Sequence, residues 1–79
     1  MLGTQLIEQI DGTGDINKTY GQTYNRVVVQ NDGVSDMICT LGGYPSFVIK
    51  GGEFRDIIID PQKSIVVTTS STYRIGVYN

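Results

Sequence analysis

Histidine and tryptophan are missing from this 79-residue chain, and cysteine occurs once, at position 39. Each absence removes a class of chemistry. One cysteine excludes an internal disulfide, and without histidine a zinc site lacks the ligands to close its tetrahedron. The same gaps remove the usual nucleophile–base pair, because Cys39 has no imidazole to take its proton. Flanked by Met37, Ile38 and Thr40, the thiol reads instead as a small buried hydrophobe. Cationic side chains are also few: six Lys and Arg against eight Asp and Glu leave a formal charge of -2. Phosphate-backbone affinity comes mainly from Lys and Arg displacing counterions, so this balance argues against nucleic acid as a partner.

Long apolar runs are lacking as well. Met1-Leu2-Gly3-Thr4-Gln5 carries no basic residue and no extended apolar stretch follows it, which points to neither a secretory signal nor a membrane anchor. Synthesis in a reducing cytoplasm is the expectation, and Asn17-Lys18-Thr19 is then a chance match to the glycosylation pattern.

What is present is a succession of short β-rich runs separated by turn residues. From Arg26 onward this predicts an all-β domain, a small antiparallel β-sandwich or barrel of immunoglobulin-like or jelly-roll-like type, spanning residues 26–79. Arg26 to Gln30 is a β-branched run ending at Asn31-Asp32-Gly33, a turn after which Ser35 to Leu41 is expected to pair back as a hairpin. Gly42-Gly43-Tyr44-Pro45 is expected to break the ladder. Phe47 to Lys50 is the next strand, Gly51-Gly52 a turn, Phe54 to Asp60 a strand, and Pro61-Gln62-Lys63 a further turn. Ser64 to Thr69 and Tyr73 to Tyr78 complete a last hairpin around Ser70-Ser71-Thr72, with Tyr73, Ile75 and Val77 on a buried face. Residues 1–25 are read as an irregular arm. The four-residue spacing of Leu2, Leu6 and Ile10 allows a helical turn or two at its start, and the Gly-, Thr- and Asn-rich remainder is read as a loop.

Three runs are apolar on both strand faces: Val27-Val28-Val29, Ile57-Ile58-Ile59 and Ile65-Val66-Val67. Successive strand residues point to opposite sides, and a domain this small has too few elements to cover both. The surplus face is expected to meet another subunit or a larger protein, with local cover by the arm as the alternative. Candidate interface residues are Val28, Tyr44, Phe47, Ile57, Ile59, Val66, Tyr73 and Tyr78, the tyrosines because their rings pack on one side and hydrogen-bond on the other.

Other constellations read as structure. Asp11-Gly12-Thr13-Gly14-Asp15 lacks the remaining ligands of a calcium loop and is a polar turn. Asp56 and Asp60 share a strand face about 13 Å apart, too far for paired-carboxylate catalysis. The paired glycines introduce no helix terminus and so make no phosphate cradle. No catalytic, metal-binding or cofactor-binding residue is assigned, and no cofactor is expected.

At Asn31-Asp32-Gly33, Gly51-Gly52-Glu53-Phe54 and Ser70-Ser71-Thr72-Tyr73-Arg74-Ile75 the chain resembles the small β-sandwich accessory proteins of tailed-bacteriophage virions, the head-decoration and head-fibre type. The resemblance covers roughly the last fifty residues. It implies a non-enzymatic structural subunit that assembles with itself as a trimer or other symmetric oligomer and docks on a larger virion or scaffold protein. Such a subunit passes from host cytoplasm to virion. Two other readings stay open, a carbohydrate-binding module suggested by the tyrosines and acidic loops, and an oligonucleotide-binding barrel that stacks single-stranded bases.

Overall fold

The computed structural model describes residues 4–79. Six strands make up the fold: β1 (Leu6–Thr13), β2 (Ile16–Asn31), β3 (Met37–Leu41), β4 (Phe47–Ile49), β5 (Phe54–Thr68) and β6 (Thr72–Tyr78). They form one antiparallel sheet in the order β1-β6-β2-β5-β3-β4. No helix occurs among the described residues.

Two of these strands are too long for the molecule. The 16 residues of β2 and 15 of β5 would each extend about 50 Å if straight, whereas the longest dimension is 33 Å. Both therefore bend, and the sheet folds onto itself. One half consists of β1, β6, Arg26–Asn31 of β2 and the start of β5, where Arg26 pairs with both Tyr78 and Ile58. The other consists of the start of β2, the end of β5, β3 and β4, with Ile16 opposite Val67 and Leu41 opposite Ile65.

Burial follows the strand period. On β6, Tyr73, Ile75 and Val77 are at most 1% exposed, while Thr72 and Arg74 face solvent. In β5 the odd-numbered side chains point inward on both sides of the bend, Ile57 and Ile59 half-buried before it and Ile65 and Val67 buried after it, while Pro61 and Lys63 at the bend itself are exposed. β2 behaves differently. Its inward residues are Ile16, Lys18 and Tyr20 before the bend and Val27, Val29 and Asn31 after it, a change of parity absorbed where Tyr24 and Asn25 are buried in succession. The register with β5 is irregular at that point, as an inserted residue requires. Val27, Val29, Met37, Cys39, Leu41, Ile49, Ile65 and Val67 join the β6 residues in a single core. Each fully buried Val or Ile contributes roughly 1.5–3 kcal/mol.

Two polar arrangements hold the ends. At the bend, buried Tyr24 donates to the carbonyl of Ser64 at 2.6 Å and meets Tyr20 edge-on, ring centroids 6.2 Å apart. At the other end buried Asn31 links three loops. Its Nδ2 donates to the carbonyls of Ser35 (2.8 Å) and Ile49 (3.1 Å), and its Oδ1 accepts from Gly33 N (3.2 Å) and Ser71 Oγ (2.6 Å).

Several expectations are corrected. The segment read as an irregular arm forms β1 and the first part of β2, paired along its length with β6 and β5; Leu6 and Ile10 are strand residues, and Leu2 lies outside the described residues. Pro61-Gln62-Lys63 is the bend of one continuous strand and makes no chain reversal. β2 does not pair with β3, nor β5 with β6. The Asn31-Asp32-Gly33 and Ser70-Ser71 connections instead carry the chain from one half of the sheet to the other. Gly42, at φ 54°, joins β3 and β4 as a hairpin, where a break was expected.

Candidate functional site

The inward and outward assignments of the folded strands divide the expected interface residues among four places. Tyr73 belongs to the core, 1% exposed, its hydroxyl donating to the Gly14 carbonyl at 2.7 Å; it cannot contact a partner, and its role is structural. Val66 lies half-buried on the outer face of the β3–β4 half, in register with Asn17 and Thr40.

Tyr44, Phe47, Ile57 and Ile59 come together. They line a cleft of about 200 Å³ with Leu41, Pro45 and Arg55, where the start of β5 and the β3–β4 hairpin form the two margins. Among the described residues this stretch of β5 has no strand on that side. Polar groups close over the margin: the Tyr44 hydroxyl donates to Asp60 Oδ2 (3.2 Å) and accepts from Asp60 N (3.4 Å). The Arg55 guanidinium lies 5.7 Å from the Phe47 ring centroid and 3.5 Å from Glu53.

Val28 and Tyr78 belong to the outer face of the other half, where register sets three rows across four strands. One row is Asp11, Arg74, Gln30 and Phe54; the next is Gln9, Gly76, Val28 and Asp56; the third is Leu6, Tyr78, Arg26 and Ile58. Three large apolar side chains stand clear of this surface, with Ile58 68%, Phe54 57% and Leu6 52% exposed. Between the projections lies a groove of about 220 Å³, floored by Gly76 and bordered by Tyr78, Val28, Phe54 and Arg74. A Cβ at Gly76 would sit 2.8 Å from the Tyr78 ring, so the missing side chain is what keeps the hollow open.

Both arginines of this face are held in fixed geometry. Arg26 holds Asp56 through two bonds of 2.9 and 2.7 Å and lies 5.6 Å from the Tyr78 ring centroid. Arg74 holds Asp32, in the adjoining loop, through bonds of 2.8 and 2.9 Å. Hydrogen bonding from each guanidinium keeps both carboxyls below the ordinary carboxylate range. Bidentate pairs of this kind orient side chains as well as neutralise them.

Ile58 and Phe54 were absent from the expected set, which had named Ile57 and Ile59 instead. Parity was the available signal: Ile57 and Ile59 share the inward parity of Ile65 and Val67 across the bend, which turns Phe54, Asp56 and Ile58 outward, and reading Pro61 as a turn hid that continuity. Cys39 is buried as expected, 1% exposed, and burial pushes its thiol up to about 11. Among the described residues no group of three or more Cys, Asp or Glu is placed to hold a metal ion, and no helix is long and apolar enough to cross a membrane. Compared with known proteins, the chain matches no family model, no curated sequence and no solved structure.

Proposed function

We propose that this chain is a non-enzymatic assembly subunit that joins other protein chains through its sheet surfaces. The observation that carries the reading is the exposure of Ile58, Phe54 and Leu6 on one ordered strand face. The three stand apart on the face, with Tyr78 and Val28 adding apolar surface between them, and exposed apolar surface rimmed by polar residues marks interaction sites on soluble domains. Ion-paired arginines and an aromatic ring beside them match the composition of interface centres. Accessory service on a virion, with a symmetric oligomer docked on a larger shell or tail protein, is the specific form that the sequence resemblance adds. Light scattering on chromatographed protein over a concentration series tests the general reading. A mass rising above that of one chain is expected, and a constant single-chain mass up to about 100 µM would contradict it.

The groove over Gly76 favours a second reading. A sugar ring stacked on Tyr78 or Phe54 would share the groove with Gln9, Gln30 and Arg74, and a glycan array would reveal it; no bound glycan would end it.

A further inference from the structure

Independently of the exposed outer face, we propose that the free edge of β5 at residues 54–58 takes up an extended segment of another protein, which adds to the sheet as one more strand and turns alternate apolar side chains into the cleft behind it. Three observations lead there. The first is the direction of the backbone groups. Asn31 N donates to the Glu53 carbonyl at 3.0 Å, and from Gln30 opposite Phe54 to Arg26 opposite Ile58 the register continues without a shift. Bonded pairs in an antiparallel ladder recur at every second residue, so Arg55 and Ile57 bond to β2. Phe54, Asp56 and Ile58 therefore turn their N–H and C=O groups the other way, where no strand stands among the described residues. Two residues on, Asp60 N has a partner, the Tyr44 hydroxyl at 3.4 Å, and there the open run ends.

The second is the lack of protection. Free edges are ordinarily kept from pairing by lysine, proline, a bulge or extreme shortness. Residues 54–60 contain neither lysine nor proline, and the pairing with β2 has no bulge between Phe54 and Ile58. The charges of the stretch are engaged elsewhere, Asp56 by Arg26 on the β2 side and Arg55 by Glu53 and the Phe47 ring. A donor and an acceptor at each of Phe54, Asp56 and Ile58, spaced about 7 Å along the strand, match the repeat of a second extended backbone.

The third is the cleft itself. Ile57 and Ile59 face Leu41, Tyr44, Pro45 and Phe47 across about 200 Å³. This is less than the roughly 300–1,000 Å³ of small-molecule sites, and the β3–β4 hairpin bounds the far margin. A single strand laid along the edge, with its side chains in the hollow, suits that space better than a free ligand or the rim of a second sheet. Main-chain bonds give such a segment its affinity, and the pockets for alternate side chains give it selectivity. Its required chemistry is an apolar residue at every second position and no proline among the residues that bond the edge, because proline leaves an edge carbonyl without a donor.

Selection from a displayed library of random peptides of about ten residues, followed by fluorescence anisotropy of the tightest binder after synthesis, tests the site. Ile58→Pro deletes an edge N–H and leaves the bonds to β2 in place, whereas Ile58→Thr keeps the N–H and removes the exposed apolar side chain. The expected result is a set of proline-free peptides with apolar residues at alternate positions, bound at least about tenfold more weakly by Ile58→Pro and nearly unchanged by Ile58→Thr, with circular dichroism showing that both variants fold. Amide exchange of the wild type needs no variant: in dilute protein the Asp56 and Ile58 amides should exchange much faster than that of Ile57, and the peptide should slow them. No selected binder, equal losses in the two variants, or Asp56 and Ile58 amides already as protected as Ile57 would overturn the proposal; protection that grows with protein concentration alone would do so too, by making a second copy the occupant. The assembly reading is separable, since a chain that self-associates but takes no peptide loses only the edge site, and one that stays single yet takes the peptide keeps it.

Discussion

Asn31 is buried completely and makes four hydrogen bonds to three loops. Replacing it with alanine removes the bonds it gives to the Ser35 and Ile49 carbonyls and those it accepts from Gly33 N and Ser71 Oγ, at a cost of roughly 2–4 kcal/mol. A fall of that size in urea-unfolding free energy for Asn31→Ala is expected, and a change below about 0.5 kcal/mol would contradict the linking role. Titration acts at the same scale and in two directions. Asp32, Asp56 and Glu8 are held low, the last chiefly by the Tyr20 hydroxyl and then by Lys18. A carboxyl with a depressed folded pKa stabilises above its unfolded value of about 4, and that contribution is lost as pH falls through the folded value. Cys39 runs the other way. Burial raises its thiol to about 11, so its contribution is complete below the unfolded value of about 8.5 and is lost as pH rises toward 11. The urea midpoint should stay level from about pH 5 to 8 and fall on both sides. Cys39→Ala should flatten the first part of the alkaline fall, and an unaltered slope would count against burial as its cause.

At the scale of elements, close backbone approaches decide which glycines are replaceable. A Cβ on Gly51 would lie 2.6 Å from the Val34 carbonyl oxygen and 2.7 Å from its carbon. Both are main-chain atoms that cannot swing aside, so Gly51→Ala should destabilise by about 1–3 kcal/mol. Gly43, with nothing within 4 Å, should accept alanine with little change, and equal thermal midpoints for the two variants would refute the distinction. Much of the strand content was legible from β-branched runs and turn residues, and the alternation of Tyr73, Ile75 and Val77 gave the buried face of β6 directly. Pairing was not. Asn31-Asp32-Gly33 has hairpin composition, yet Asp32 N and Gly33 N bond the Thr72 carbonyl, and β3 crosses to the opposite half to pair with β5. Pro61 likewise has turn composition but lies in the bend of β5. The amino-terminal strands escaped notice because their apolar residues are few and half-buried, Ile7, Ile10 and Ile16 among them, and because the inward positions between them are filled by Glu8, Lys18 and Tyr20, which satisfy one another through bonds of 3.2 and 2.7 Å.

For the whole molecule, the fold answers most of its own need for cover. The two halves bury Val27, Val29, Ile65 and Val67 against each other, leaving the middle residue of each apolar run on the outside: Ile58 is 68% exposed, and Val28 and Val66 are half-buried. The three runs that suggested a partner thus separate into two outward faces and one cleft. Of the candidate site, Val28 and Tyr78 were legible in the sequence. Phe54 and Ile58 were within reach of strand parity once β5 is taken as one strand, whereas Leu6 was not, since only the pairing of β1 with β6 brings it to this surface. Assembly through that surface is most directly tested by sedimentation equilibrium of the wild-type chain at about 100 µM. A mass above the 8.7 kDa of one chain is the expected result; a mass of 8.7 kDa throughout the cell would contradict it.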